Sequence, residues 1–178
     1  MRYLIIILLL LAAIPACDYD LIPTARPIEI GNIYDYDFEG SEEIPEFETI
    51  EDAIQWVAFN SIFNYDNILY GKDDYYATPE EFYYNRNSEN KMQGDCEDYA
   101  IFLGYLLYMK MGYKDVQIIR LNTSNPFINH IILYVDNHYI EPQMGMFFVD
   151  KESLEKQIIK RFPYSKFLWI AVNYHGIL

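Results

Sequence analysis

From Thr49 onward the apolar positions fall into a helical rhythm. Ile50, Ala53, Ile54, Val57, Ala58 and Ile62 share one helix face, and Thr49 stands where a cap belongs. The spacing predicts a helix over 50–63. Residues 64–74 are polar and rich in Tyr, which predicts a loop. Thr78-Pro79-Glu80-Glu81 is a capping box with Pro at the first helical position, so a short helix is expected to about Tyr84. Residues 85–93 are polar again and predict an exposed loop.

The segment GDCEDYAIFLGYLLYMKMGY, starting at Gly94, is the most informative. Ala100, Ile101, Leu103, Leu106, Leu107 and Met111 make a broad apolar face, Lys110 falls in the last turn, and Gly112 is a natural stop. A buried helix of about 15 residues with Cys96 at its N-terminus is expected. Strand signals follow. Val116–Leu121 is β-rich, and Ile131–Val135 runs into a tight turn at Asp136-Asn137. Tyr139–Glu141 returns, and Pro142 limits the pairing. Phe147–Val149 reads as a further short strand, Asp150 caps a helix to about Lys160, and Phe167–Tyr174 reads as a last strand. Helices followed by an antiparallel meander make the expected class α+β.

Composition narrows the function. Seventeen per cent of the 178 residues are aromatic, which supplies ample core and rules out a wholly disordered chain. The net charge of −14 would repel phosphates over most of the surface and argues against nucleic acid as a partner. Nine acids and no base fall between Asp35 and Asp52. With Gly40 and Pro45 and no clear period, 17–48 is expected to be a solvated acidic tether and 49–178 the folded domain.

The first sixteen residues, MRYLIIILLLLAAIPA, carry one positive charge and an apolar run too short to span a membrane. They read as an export signal over 1–16. The run ends directly before Cys17, which resembles the lipobox of bacterial lipoproteins. That resemblance implies a lipidated Cys17 and a chain tethered to a membrane by acyl groups; plain secretion with cleavage near Ala16, or an uncleaved anchor, is the alternative. If Cys17 is acylated, Cys96 is the only other cysteine and has no disulfide partner. A thiol kept alone in an oxidising compartment favours a chemical role.

Cys96, His130 and Glu141 form the candidate catalytic set. A helix N-terminus offers N–H groups and partial positive charge, which favour a thiolate and can receive an oxyanion. On a two-residue hairpin turn, either register puts His130 and Glu141 on one sheet face as diagonal neighbours, about 7–8 Å apart at Cα. Glu can bridge that gap and orient the imidazole towards the thiol. Taken singly, each has a plainer role: a small buried apolar group, a strand cap, a solvated carboxylate. Their combination favours catalysis.

The Gly94–Tyr113 run, NHIILYV at 129–135 and HYIEPQ at 138–143 resemble the core of the transglutaminase-like cysteine protease superfamily. The likeness is strongest to its bacterial branch of periplasmic enzymes, some of which cleave surface adhesins. It spans Thr49–Gln143. It implies a papain-like α+β fold, with Cys96 as nucleophile, His130 as general base and Glu141 as the orienting acid, where the family commonly has Asp before Pro. Gln93, upstream of the nucleophile, is a candidate oxyanion donor by the same likeness. In the adhesin-cleaving relatives the acids beside the Cys bind calcium, so Asp95, Glu97 and Asp98 are candidate ligands. Their alternative role is helix capping. The chemistry itself requires no cofactor. The implied function is an exported, membrane-anchored peptidase or amidase acting on protein or peptide. A non-catalytic binding module and an acyltransferase that crosslinks through amines are the alternatives. His138 and His175 match no motif.

Overall fold

The computed structural model describes residues 38–72, 75–114, 116–122, 129–161 and 168–173. The expected export signal 1–16, Cys17, the part of the expected tether up to residue 37 and His175 lie outside them. The chain is a mixed helix-and-sheet protein, as expected of the α+β class.

Helix α1 (Ile50–Asn60) starts on the Thr49–Asp52 capping box and buries Ile50, Ala53, Ile54 and Val57. It ends earlier than the apolar rhythm predicts. At Ser61 the chain turns extended and forms β1 (Ser61–Phe63), leaving Ile62 substantially exposed. The expected loop after it contains a single turn of helix, α2 (Asp66–Leu69). Helix α3 (Pro79–Tyr84) begins on the Thr78–Glu81 capping box, as the sequence predicts. The expected loop 85–93 hides β2 (Met92–Gly94), which pairs parallel with β1 from Ser61↔Met92 to Phe63↔Gly94.

That small ladder delivers the chain to α4 (Cys96–Tyr105), whose last turns, Leu106–Lys110, widen into a π-helix. The combined length agrees with the expected 15 residues. Gly112 ends it in the left-handed region at φ +77°, where glycine pays no steric penalty. Gly94 is needed for space. A Cβ there would meet the Asp98 side chain and would come within 2.7 Å of Phe82.

Five antiparallel strands follow: β3 (Gln117–Asn122), β4 (Asn129–Val135), β5 (His138–Glu141), β6 (Met146–Phe148) and β7 (Leu168–Asn173). Their order is β6-β5-β4-β3-β7. The meander therefore runs only from β3 to β6. The chain then passes through α5 (Lys151–Arg161) and adds β7 at the opposite edge, against β3. The β4–β5 hairpin turns at Asp136 and Asn137, both at positive φ, the geometry that matches strand twist.

Helices cover both faces of the sheet. Ile118, Ile131, Leu133, Val135 and Ile140 face a large core built by α1, α3 and α4, in which Phe82, Phe102 and Leu103 are fully buried. On the other face Ile119, Leu121 and Ile132 pack with Leu154 and Ile158 of α5. The acidic stretch is not wholly a tether. Phe38 and Ile44 are buried in the large core, and the Ile44 carbonyl accepts a hydrogen bond from Lys110 at 3.2 Å. Their few apolar side chains anchor a segment whose average composition looks solvated.

Candidate active site

The sequence places Cys96 at a helix start, and the structure puts it there, half-buried, directly after the Asp95 N-cap. The thiol donates to Glu97 Oε2 at 3.2 Å and accepts a hydrogen bond from the backbone N–H of Ile131. The second contact ties the nucleophile candidate to β4 at the residue after His130. The β4–β5 rungs stop at Leu133↔Ile140, so the β5 side of Ile131 is past the last rung. Strand alternation places Ile131 on the α4 face and His130 on the face of Ile132. The thiol thus approaches His130 along the strand, through its neighbour's N–H, and not across a sheet face.

His130 and Glu141 are brought into direct contact, Nε2 of the imidazole against Oε2 of the carboxylate. The register of β4 with β5 makes them diagonal neighbours on one face, one of the two registers the turn allows. Both are buried, Glu141 completely. The second carboxylate oxygen accepts from the Gln143 N–H at 3.1 Å, so the residue just past Pro142 helps to fix the acid. A solvated edge carboxylate is therefore not what Glu141 is. Burying such a pair is costly compared with an apolar pair, which makes it poor evidence of stability.

The expected capping role is present, because Asp95 and Asp98 form a capping box at the start of α4, and two of the acids beside Cys96 are buried as well. Glu97 is 5% exposed and Asp98 is 0% exposed. Asp98 Oδ1 accepts from the Ala77 N–H at 2.9 Å, and Oδ2 from the Asp95 N–H at 3.3 Å. The three expected ligands do not form one group. Asp95 and Glu97 gather with Cys96, whereas Asp98 gathers with Asp95 and with Asp66 of α2, in each case with ligand atoms within 4.8 Å. Asp66, 2% exposed, is the member that sequence reasoning missed. It opens α2, inside the stretch 64–74 that the sequence reads as a loop, and only the fold carries it to Asp98. The all-oxygen set Asp66, Asp95 and Asp98 suits a hard cation such as calcium.

This crowding overrides the expected effect of the helix N-terminus. Burial, then the charges of Glu97 and Asp95, pushes the Cys96 thiol well above its ordinary value; the Ile131 N–H opposes this. Burial together with Asp95 holds the Glu97 carboxyl far above the usual carboxylate range. Burial pushes Asp98 up to about 8, with the charges of Asp95 and Asp66 adding to it and the Ala77 N–H working against it. The expectation of a readily formed thiolate is therefore not met by this arrangement of protein groups alone.

Gln93 is not placed as an oxyanion donor. Its amide is engaged with Asn64 at 3.3 Å and Asn85 at 3.5 Å, holding the β1–β2 ladder to α3. His138 stacks on Phe147 at 4.4 Å between ring centroids. No protein-family model and no curated protein matches the chain.

Proposed function

We propose that this protein is an exported, lipid-anchored cysteine peptidase or amidase with a transglutaminase-like, papain-like core, acting on protein or peptide. The observation that carries the reading is the junction of α4 with β4. Cys96 at the helix N-terminus accepts the Ile131 N–H, and the adjoining His130 is held by a buried Glu141. In the reaction His130 takes the Cys96 proton and the thiolate sulfur attacks the substrate carbonyl. His130 then returns the proton to the leaving amine as the C–N bond breaks. Water, with His130 again as base, releases the acid and the free thiol. Because Glu141 occupies Nε2, proton exchange with the thiol runs through Nδ1. The first N–H groups of α4 are the natural donors to the oxyanion.

Asp66, Asp95 and Asp98 would hold a calcium ion, whose charge would offset the carboxylates that disfavour the thiolate. A second reading, a binding module that kept the fold, is favoured by one observation, the upward push on the Cys96 thiol. An acyltransferase would share the same acyl-enzyme and differ only in its acceptor.

The test is labelling with a thiol-directed activity probe, followed by a comparison of surface proteins between wild-type and Cys96→Ala cells. Labelling at Cys96 and a cleavage product that vanishes in Cys96→Ala are expected. A thiol that never labels, with identical surface proteins, would point to the binding module. For the anchor, Cys17→Ser is expected to end incorporation of a fatty-acid label and to release the protein from membranes. A wild-type chain that takes up no label would sink the lipoprotein reading.

A further inference from the structure

Arg120 is the one Lys or Arg in the five strands of the main sheet. Its position on β3 has the parity of Ile118, so it lies on the face that carries α4. The register pairs it with Ile131, the residue whose N–H holds the Cys96 thiol. Directly paired residues lie about 4.5–5.5 Å apart at Cβ. Arg120 therefore rises one strand away from the point where the nucleophile candidate meets the sheet, at the N-terminal end of α4.

Its guanidinium makes no hydrogen bond or ion pair with any described residue, although the chain carries 27 acids. Nε is buried and without a partner, while the residue as a whole keeps part of its surface exposed. A buried guanidinium nitrogen without a partner costs free energy, and arginine forms its best contacts with carboxylates in two-pronged geometry. The buried acids at the start of α4 have other engagements: Asp98 with Ala77 and Asp95, and Glu97 with Cys96.

We propose that Arg120 is a specificity-determining residue that receives a substrate carboxylate beside the bond cleaved at Cys96. The carboxylate comes from an Asp or Glu side chain or from a free chain end. This assignment rests on the peptidase reading for its consequence in turnover, but not for the binding itself. The Arg120 cation on β3 offsets the repulsion that Asp95 and Glu97 would exert on an acidic substrate from the helix side, and it fixes which residue of the substrate lies over β3.

The test uses the mature chain and a positional set of fluorogenic peptides. Each carries Glu or the isosteric Gln at one position, with the C-terminus either free or amidated. Equilibrium binding to Cys96→Ala is measured alongside turnover by the wild type. Binding of one Glu-containing or free-acid peptide is expected to exceed that of its neutral isostere by about 10–100-fold, the range of a charge-assisted hydrogen bond. Arg120→Gln should erase that preference through KM, with a melting temperature no lower than that of the wild type. Arg120→Lys should restore part of the preference. Loss of the preference on amidation identifies the chain end; its survival identifies the side chain. Equal binding of charged and neutral peptides by the wild type, or a preference that survives Arg120→Gln, would overturn the proposal. A binding preference without turnover would instead keep the carboxylate site and remove the peptidase reading.

Discussion

Turnover of a cleaved substrate is expected to vanish in Cys96→Ala and to fall roughly 10³-fold or more in His130→Ala. The two act as one unit, so the double variant should lose little beyond the larger single loss. His130→Ala also strands the buried Glu141 carboxylate without its imidazole, and that alone destabilises the fold. His130→Gln is therefore the better variant, because an amide can still donate to Glu141 while it cannot act as the base. Its melting temperature should stay near that of the wild type with turnover equally lost. Glu141→Gln keeps an acceptor for the Gln143 N–H and should leave a larger residue of activity than the His130 variants. Glu141→Asp should fall between, since the shorter side chain no longer spans the diagonal. A His130→Gln enzyme that turns over at the wild-type rate would remove His130 from the mechanism. The measurement is kcat and KM for each variant beside its thermal melt.

The His130–Glu141 pair was legible in the sequence because it rests on local rules. Asp136-Asn137 makes a two-residue turn, the turn fixes the register, and the register fixes the diagonal. Helix α4 was legible for the same kind of reason: a continuous apolar face, a capping acid and Gly112 bound it on both sides. What escaped depends on contacts distant in the chain. The strands β1 and β2 have three residues each, too few for alternation to register, and they exist only because they pair with each other. Phe38 and Ile44 were lost in an acidic average, although two apolar anchors suffice to dock that segment. The β7 crossover depends on which sheet edge remains open after α5, which no local pattern encodes.

The electrostatics of the nucleophile belong to the same class. A sequence shows that Asp95, Glu97 and Asp98 flank Cys96 and that a helix begins there. It does not show that Glu97 and Asp98 point inward, or that Asp66 joins them from α2. In water those carboxylates would be screened and the N–H groups of α4 would dominate. In the packed site desolvation comes first and the acids second, and both raise the thiol. The Ile131 N–H, which lowers the thiol, is outweighed by burial and by the two neighbouring acids together.

That balance leads to the calcium prediction. Asp98 titrates near 8 in the fold and near the ordinary value of about 3.9 when unfolded. Between those values the folded state holds a proton that the unfolded state has released, so stability falls as pH rises through the window. In chelator the melting temperature should therefore drop from pH 5 to pH 8, and Asp98→Asn should reduce that slope, with Glu97, raised in the same direction, carrying the rest. Calcium would bind the ionised carboxylates, so its increment should grow in the same direction. At a hundredfold excess over Kd, mass action adds about 2.7 kcal/mol, or roughly 5–10 °C for a domain of this size. Asp95, common to both acid groups, is the position where Asn should remove most of the increment. The thiol reports the same event. In chelator Cys96 should react with iodoacetamide only above the pH of a free thiol, about 8.5, because its pKa is raised and the thiolate fraction at neutral pH is small. With calcium the midpoint should move below that value, and His130→Gln should move it back up. Melting curves and alkylation profiles that coincide in chelator and calcium would leave Asp95, Glu97 and Asp98 as structural acids and the thiol as an unactivated one.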